Sequence, residues 1–384
     1  MPDIAMTHNG LRFGLLGPLQ LSVDGAELPL GAAKRRAVLA LLLINRNRTV
    51  PIDTLIDAAW QQRPPPEARA SLHAHVSRLR RLIGSAGVDP AVILASAQPG
   101  YRLAVPEEAC DLGRFAVEQK AGFEAVTAGR FEKASGHLSA ALGEWRGPVL
   151  EDLRDFEFVD AFAAALAEDK LVTLTARAEI EIACGRTHSI IRELEVLVGE
   201  HPYREPLWAQ LITAYYAAER QYDALDAYGR LKTALADDLG IDPGPTLQRL
   251  HQRILRQEPL DVEQAARATA KRVAVTRRRT TKIVQESAVV AHLRDAGGSR
   301  YPLRGTATRI GRVADNDIVL DDDTVSRYHA VIVDTGNSFV ITDLRSANGV
   351  DVAGQRVRVS ATLADGDRIC ICGHEFVFEM SGVW

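Results

Sequence analysis

The sequence predicts a multidomain α+β protein: a winged helix-turn-helix, then an all-α repeat-like domain, then a β-sandwich. Three observations carry this. The hydrophobic pattern is mixed over residues 1–105, helical over 106–258 and alternating, as in strands, over 289–384. A basic run poor in large aromatics, residues 259–288, interrupts the patterned segments. Finally, 384 residues with 46% hydrophobic and 25% charged side chains have a globular composition and exceed one ordinary core.

In the first segment, Leu11–Leu16 and Leu19–Val23 alternate as strands, with a turn at Asp24–Gly25. Helices are expected over Ala33–Ile44 and Ile52–Trp60 and, after the break at Pro64–Pro66, over Glu67–Ile83. Val92–Val105 reads as a hairpin around Gln98–Pro99–Gly100. Strands, three helices and a closing hairpin describe a winged helix. Its third helix should bury Leu72, Val76, Leu79 and Ile83. The opposite face carries Ala70, Ala74, Ser77, Arg78 and Arg81, with Arg69 at its start and His73 and Arg80 at its flanks. Small residues let a helix approach a groove floor, while Ser and Arg reach base edges and phosphates. Lys34, Arg35 and Arg36 open the first long helix and are placed for phosphate contacts.

The middle segment reads as helix pairs joined by short turns containing glycine. Trp208, Leu211 and Tyr215 followed by Ala224 and Tyr228 reproduce a tetratricopeptide-like (TPR-like) spacing, in which large residues of one helix nest against small ones of the next. Ile212 replaces the repeat's usual glycine and the late proline is missing, so the repeat is degenerate. Pro259 ends the helical pattern, and residues 259–288 read as a flexible linker whose Thr269, Thr276, Thr280 and Thr281 would be open to a kinase. In the last segment, Ala288–Leu293, Val331–Asp334, Phe339–Asp343, Arg368–Ile371 and Glu375–Glu379 alternate as short strands.

Charge is unevenly spread. Residues 1–105 carry +5, 106–258 carry −10, 259–288 carry +4 and 289–384 carry −3, within a total of −4. A basic head on an acidic body suits a chain of which one part meets nucleic acid.

Within the β segment, Gly311–Arg312, Ser326–Arg327–Tyr328–His329 and Ser346–Ala347–Asn348–Gly349 fall in order. This resembles the forkhead-associated (FHA) family, which implies a phosphothreonine-binding β-sandwich. A phosphothreonine carries close to two negative charges and three acceptor oxygens. Arg312 can give it charge-assisted, bidentate hydrogen bonds, and Ser326 a hydroxyl donor. The resemblance sets Arg327 beside Ser326 as a second cationic or backbone contact and gives Asn348 the peptide backbone. Gly311 and Gly349 suit tight loops that a Cβ would hinder, and His329 is expected to brace them. Ala347 departs from the family, whose members often have Ser or Thr there. One lost hydrogen bond to a charged group costs about 1.5–3 kcal/mol at most.

Two further resemblances complete the chain. Pro99-Gly100-Tyr101-Arg102-Leu103 is similar to the wing of OmpR-type winged helices, which adds Tyr101 and Arg102 to the expected DNA contacts. The loop Gln61–Ala68 then corresponds to a segment implicated in contacting RNA polymerase. The stretches Cys110-Asp111-Leu112-Gly113-Arg114-Phe115 and Asp238-Leu239-Gly240-Ile241-Asp242-Pro243-Gly244-Pro245 resemble the bacterial transcriptional activation domain. That order of domains is the arrangement of SARP regulators, and an FHA domain at the end narrows it to the EmbR type. The resemblance implies a regulator of cell-envelope, arabinosyltransferase-type genes. Its partners would be double-stranded promoter DNA, a phosphorylated Ser/Thr protein kinase and RNA polymerase. The alternative is an adaptor or decoy that docks on the kinase with little specific DNA binding.

Enzyme motifs are missing: there is no Walker loop, no GxSxG and no kinase set. No cofactor or metal is expected. Cys110, Cys184, Cys370 and Cys372 are scattered, and the last two are expected to share one face of a strand. Asp321–Asp322–Asp323 reads as a solvated loop beside Ser326. With no signal-like N-terminus and no apolar run near the ~18 residues a bilayer requires, a cytoplasmic protein without membrane insertion is expected.

Overall fold

A computed structural model describes residues 10–61, 64–270, 290–303, 307–313, 316–334 and 339–381. These divide into two compact units, one within residues 1–117, 143–169 and 276–384, the other within 118–142 and 170–275.

The head opens with an antiparallel sheet of β1 (Leu11–Gly14), β2 (Gln20–Val23) and β3 (Ala26–Glu27). Then follow α1 (Ala33–Ile44), β4 (Thr49–Pro51), α2 (Ile52–Trp60), α3 (Ala68–Gly84), the short α4 (Pro90–Ile93), β5 (Leu94–Ala97) and β6 (Gly100–Leu103). The order β4-β6-β5 makes the wing a hairpin with a third strand beside it. All four expected core residues of α3, Leu72, Val76, Leu79 and Ile83, are buried. Two expectations change. The first strand stops at Gly14 because the amides of Leu15 and Leu16 donate to the buried Asp111 carboxylate at 2.8 Å instead of to a neighbouring strand. The closing hairpin begins two residues late, because Asp89 caps a helical turn by accepting from Ala91 N–H at 2.8 Å, with Pro90 at its start.

The helical middle comprises α5 (Asp111–Thr127), α6 (Phe131–Gly143), α7 (Glu157–Ala183), α8 (Thr187–Glu200), α9 (Glu205–Ala217), α10 (Gln221–Leu239) and α11 (Pro245–Leu255). Trp208, Leu211, Ile212 and Tyr215 of α9 share one core with Ala224, Ala227 and Tyr228 of α10. Small residues on α10 therefore receive the large side chains of α9, as the repeat spacing requires. Both activation-domain motifs have local physical reasons. Asp111 ties the start of α5 to β1, and Arg114 clasps Glu144 at 2.6 Å and 3.0 Å. Gly240, at φ +65°, closes α10 in the left-handed conformation, its amide donating to Ala236 O at 3.0 Å. Pro245 then starts α11.

The expected linker begins later than its composition suggests. Residues 262–270 are helical, Asp261 accepts from Gln264 N–H at 2.9 Å, and Ala266 and Ala270 are buried against Phe123, Leu138 and Ile180. Alanines at this spacing pack without needing large apolar residues, so composition understates the helix. Thr269 is thus not in a mobile stretch: its hydroxyl donates to Glu179 at 3.2 Å. Thr276, Thr280 and Thr281, like Lys271, Arg272, Lys282 and Arg277–Arg279, lie outside the described residues.

The last segment is a two-sheet sandwich. Its strands are β7 (Val290–Asp295), β8 (Arg300–Pro302), β9 (Ala307–Gly311), β10 (Ile318–Val319), β11 (Ala330–Asp334), β12 (Phe339–Asp343), β13 (Val350–Val352), β14 (Gln355–Val357), β15 (Ser360–Leu363), β16 (Arg368–Ile371) and β17 (His374–Ser381). One sheet runs β10-β9-β11-β12-β15 and the other β14-β13-β16-β17-β7-β8. Alternate residues of both, among them Ile310, Ile332, Ile341, Val350, Ile369, Phe376 and Phe378, fill the core. Cys370 lies on β16, but Cys372 sits in the following turn at φ +49°, so the two do not share a strand face. Both thiols are free, and the described residues hold no metal-ligand cluster.

Candidate functional site

Three loops meet at one end of the sandwich, and the backbone fixes them to each other. Strand β9 ends on Gly311. Beyond it Arg312 N–H donates to Ser326 O at 3.0 Å, and just before it Ile310 O accepts from His329 N–H at 2.9 Å. A Cβ on Gly311 would stand 2.3 Å from Arg327 O and 2.8 Å from Asn316 Nδ2, so this close approach admits only glycine. His329 is fully buried. Its Nδ1 accepts from Ser326 N–H and its Nε2 meets Gly349 O, both at 3.1 Å. The carbonyl partner requires the proton on Nε2. One neutral imidazole therefore braces the loop before β11 against the loop before β13, as expected.

The exposed groups are presented by this frame. Ser326 Oγ accepts from Ala347 N–H at 3.1 Å, and its own O–H is still a donor that a ligand could take. The position that lacks a hydroxyl, Ala347, still contributes its amide. Asn348 Nδ2 donates to Thr324 O at 2.8 Å, so half of this side chain is spent on loop geometry and Oδ1 remains for a ligand. The Arg327 side chain is exposed, while its carbonyl accepts from Asn316 Nδ2 at 2.8 Å. Arg312 Nη1 pairs with Asp323 at 2.7 Å, and its Nε is buried with no hydrogen-bond partner among the described residues. Asp322 is also held: hydrogen bonds from Thr324, and then from His374, keep its carboxyl below the ordinary range. The triplet of aspartates is thus not simply solvated.

The second candidate site is the α1–α3 face of the head. Burial, followed by the charges of Arg78 and Arg81, lowers the pKa of Arg35. Burial, then Arg35, Arg78 and Lys34, lowers that of His75. These directions report one electropositive cluster spread over the start of α1 and the outer face of α3. Lys34 lies 5.2 Å from the Trp60 ring and His75 5.8 Å, so the indole supports the cluster from beneath. Ser77, Arg78, Arg81 and Arg102 are exposed as expected, and Arg69 is exposed while pairing with Asp53 at 3.0 Å.

Two expected contacts are repositioned. Tyr101 is 6% exposed, and its hydroxyl shares a 2.5 Å hydrogen bond with His73 Nδ1. Alternation in β6 turns it inward while Arg102 faces out. Arg36 pairs with Asp152 at 3.1 Å, which satisfies its charge within the protein. Sequence reasoning passed over Arg80 as a flank. It donates to Leu94 O and Ser96 Oγ at 2.9 Å and 3.0 Å and covers Tyr101, fastening α3 to the wing. It also missed Asn316 and Thr324, whose roles are backbone bonds that no spacing announces.

Comparison with known proteins places these two sites in one context. Three family models match in order: "Transcriptional regulatory protein, C terminal" over residues 25–103, "Bacterial transcriptional activator domain" over 110–255 and "FHA domain" over 308–372. The transcriptional regulatory protein EmbR of Mycobacterium tuberculosis is 61% identical over 383 residues, 99% of this chain and 98% of that protein. The chain belongs to the EmbR family. A solved structure of M. tuberculosis EmbR in complex with a low affinity phosphopeptide superposes with a TM-score of 0.91 at 60% identity, covering 98% of this chain and 99% of that one. The transcriptional regulatory protein MoaR1 of M. tuberculosis is 49% identical over 67% of this chain and 83% of its own length. As in an EmbR-type SARP regulator, a winged helix, a helical activator domain and an FHA sandwich follow each other. No helix among the described residues is long and apolar enough to cross a membrane.

Proposed function

We propose that this chain binds promoter DNA through the α1–α3 face and wing, and phosphothreonine through the loop end of its FHA sandwich, so linking a Ser/Thr kinase to transcription. The observation that carries the reading is that Arg312, the Ser326 hydroxyl and the Asn348 amide stand on loops locked together by backbone bonds and a buried His329. A guanidinium and a hydroxyl on loops joined by the Arg312 N–H to Ser326 O bond suit a dianionic ester, and an amide oxygen suits a peptide N–H. The structure of an EmbR relative with a phosphopeptide supports the same use of this domain.

For DNA, the supporting features are Lys34, Arg35, Arg78 and Arg81 in one cluster, with Arg102 exposed on the wing. In this arrangement α3 enters the major groove and the wing tip follows the adjacent minor groove. A decoy that only docks on a kinase has no use for this electropositive face. Cell-envelope, arabinosyltransferase-type promoters are the proposed targets. The loop at residues 61–68 is the proposed RNA polymerase contact, anchored where Gln61 Nε2 donates to Asp155 O at 2.8 Å. The protein acts in the cytoplasm, without catalysis of its own.

The test is a pair of titrations on the full chain. Arg312→Ala should abolish binding of a phosphothreonine peptide and leave binding to envelope-gene promoter fragments within about twofold, since Arg312 sits on a separate surface. Unchanged phosphopeptide affinity removes the site assignment. Absence of sequence-specific, salt-dependent DNA binding removes the regulator reading.

A further inference from the structure

The phosphate-binding guanidinium proposed above already holds an anion of its own chain. We propose that Asp323 is an internal competitor for phosphothreonine, occupying Arg312 until a phosphate displaces it and so setting the affinity of the site. This inference rests on Arg312 being the phosphate contact.

The geometry favours competition over simple support. Asp323 reaches Arg312 Nη1 at 2.7 Å although its own side chain is 98% exposed, and among the described residues the carboxylate has no other anchor. Its two neighbours are fixed instead. Asp322 takes hydrogen bonds from Thr324 N–H at 2.8 Å, from Thr324 Oγ1 at 2.6 Å and from His374 at 3.1 Å. Thr324 O in turn accepts from Asn348 at 2.8 Å and from the Cys372 thiol at 3.1 Å. A pinned loop therefore projects one free carboxylate at the guanidinium, where it stands in for a phosphate oxygen. It satisfies only one of the five N–H donors. A dianion with three oxygens can take more of them, so it displaces the carboxylate at modest cost. An exposed ion pair of this kind is weak, which puts its cost to ligand affinity at about two- to fivefold.

The experiment is isothermal titration of the full chain with a short phosphothreonine peptide flanked by alanines, comparing wild type, Asp323→Asn, Asp321→Asn and each Asp variant combined with Arg312→Ala. Asp323→Asn should tighten binding about two- to fivefold. Asp321→Asn removes the same charge from the same loop, away from the ion pair, and should change affinity less. Unchanged or weaker binding in Asp323→Asn overturns the proposal and makes Asp323 a support for Arg312. Equal tightening by both variants overturns it too, because loop charge alone then explains the effect. Binding that survives Arg312→Ala in every background overturns the site reading itself. An Arg312-dependent site indifferent to Asp323 overturns only this inference.

Discussion

The two proposed sites would solve recognition in opposite ways. At the loop end of the sandwich, almost every functional residue is tied to backbone: Arg312 N–H to Ser326 O, Ser326 Oγ to Ala347 N–H, Asn348 to Thr324 O, and a buried imidazole between two loops. On the α1–α3 face, Ser77, Arg78, Arg81 and Arg102 stand exposed on a regular helix and strand whose shape owes nothing to them. A small ligand with one phosphate demands exact donor positions, which a braced frame supplies. A polyanion with repeated phosphates rewards total charge and tolerates the loss of one contact. The difference teaches where sensitivity lies: in the frame of the first site and in the exposed charges of the second.

The largest expected effect follows from breaking that frame. Gly311→Ala forces a methyl against Arg327 O and Asn316 Nδ2, at 2.3 Å and 2.8 Å, and neither is a flexible side-chain end free to leave. The sandwich should lose about 1–3 kcal/mol of stability. Phosphopeptide affinity should fall at least about tenfold, because β9 and the Ser326 loop must separate. Thermal unfolding and peptide titration measure both, with promoter binding as the unaffected control. Affinity within twofold of wild type would show that the loops adapt and that the contrast between the sites is overstated.

A smaller and different effect is expected on the head. Arg78 is exposed within the electropositive cluster, so Arg78→Ala should leave stability unchanged and weaken DNA binding similarly on all sequences. The slope of log affinity against log salt should drop by about 0.9 for one lost phosphate contact. Gel shifts across a salt series check this. An unchanged slope with relaxed sequence preference would instead put Arg78 on a base edge.

Legibility in the sequence followed the same division. Helices Ala33–Ile44 and Ile52–Trp60 match their predicted bounds because apolar periodicity and flanking breakers are local. Arg312, Ser326, Asn348 and the bracing role of His329 were readable as a motif, and the frame around them was not. Asn316 and Thr324 act through single amide and carbonyl bonds, which leave no mark on spacing. The early end of β1 was hidden because the competing acceptor, Asp111, lies far along the chain. The helix over 262–270 was hidden because its packing face is alanine within a polar composition. The pairing of Asp323 with Arg312 was hidden because three consecutive acidic residues look alike in sequence and differ only in what each faces.

The smallest expected effect separates contact from support at Tyr101. Its resemblance to a wing tyrosine suggests DNA, yet the ring is buried under Arg80 and the hydroxyl faces His73. Tyr101→Phe keeps the ring and removes one hydrogen bond. The head should lose only about 0.5–1.5 kcal/mol, since the exposed His73 regains water. Promoter affinity should change less than about threefold, with the same salt slope, because no phosphate contact is lost. Urea unfolding of the full chain and gel shifts at two salt concentrations decide the matter. Weakening well beyond threefold at an unchanged slope would mean that the hydroxyl leaves His73 for a DNA phosphate, and that even the exposed face is braced differently once DNA is bound.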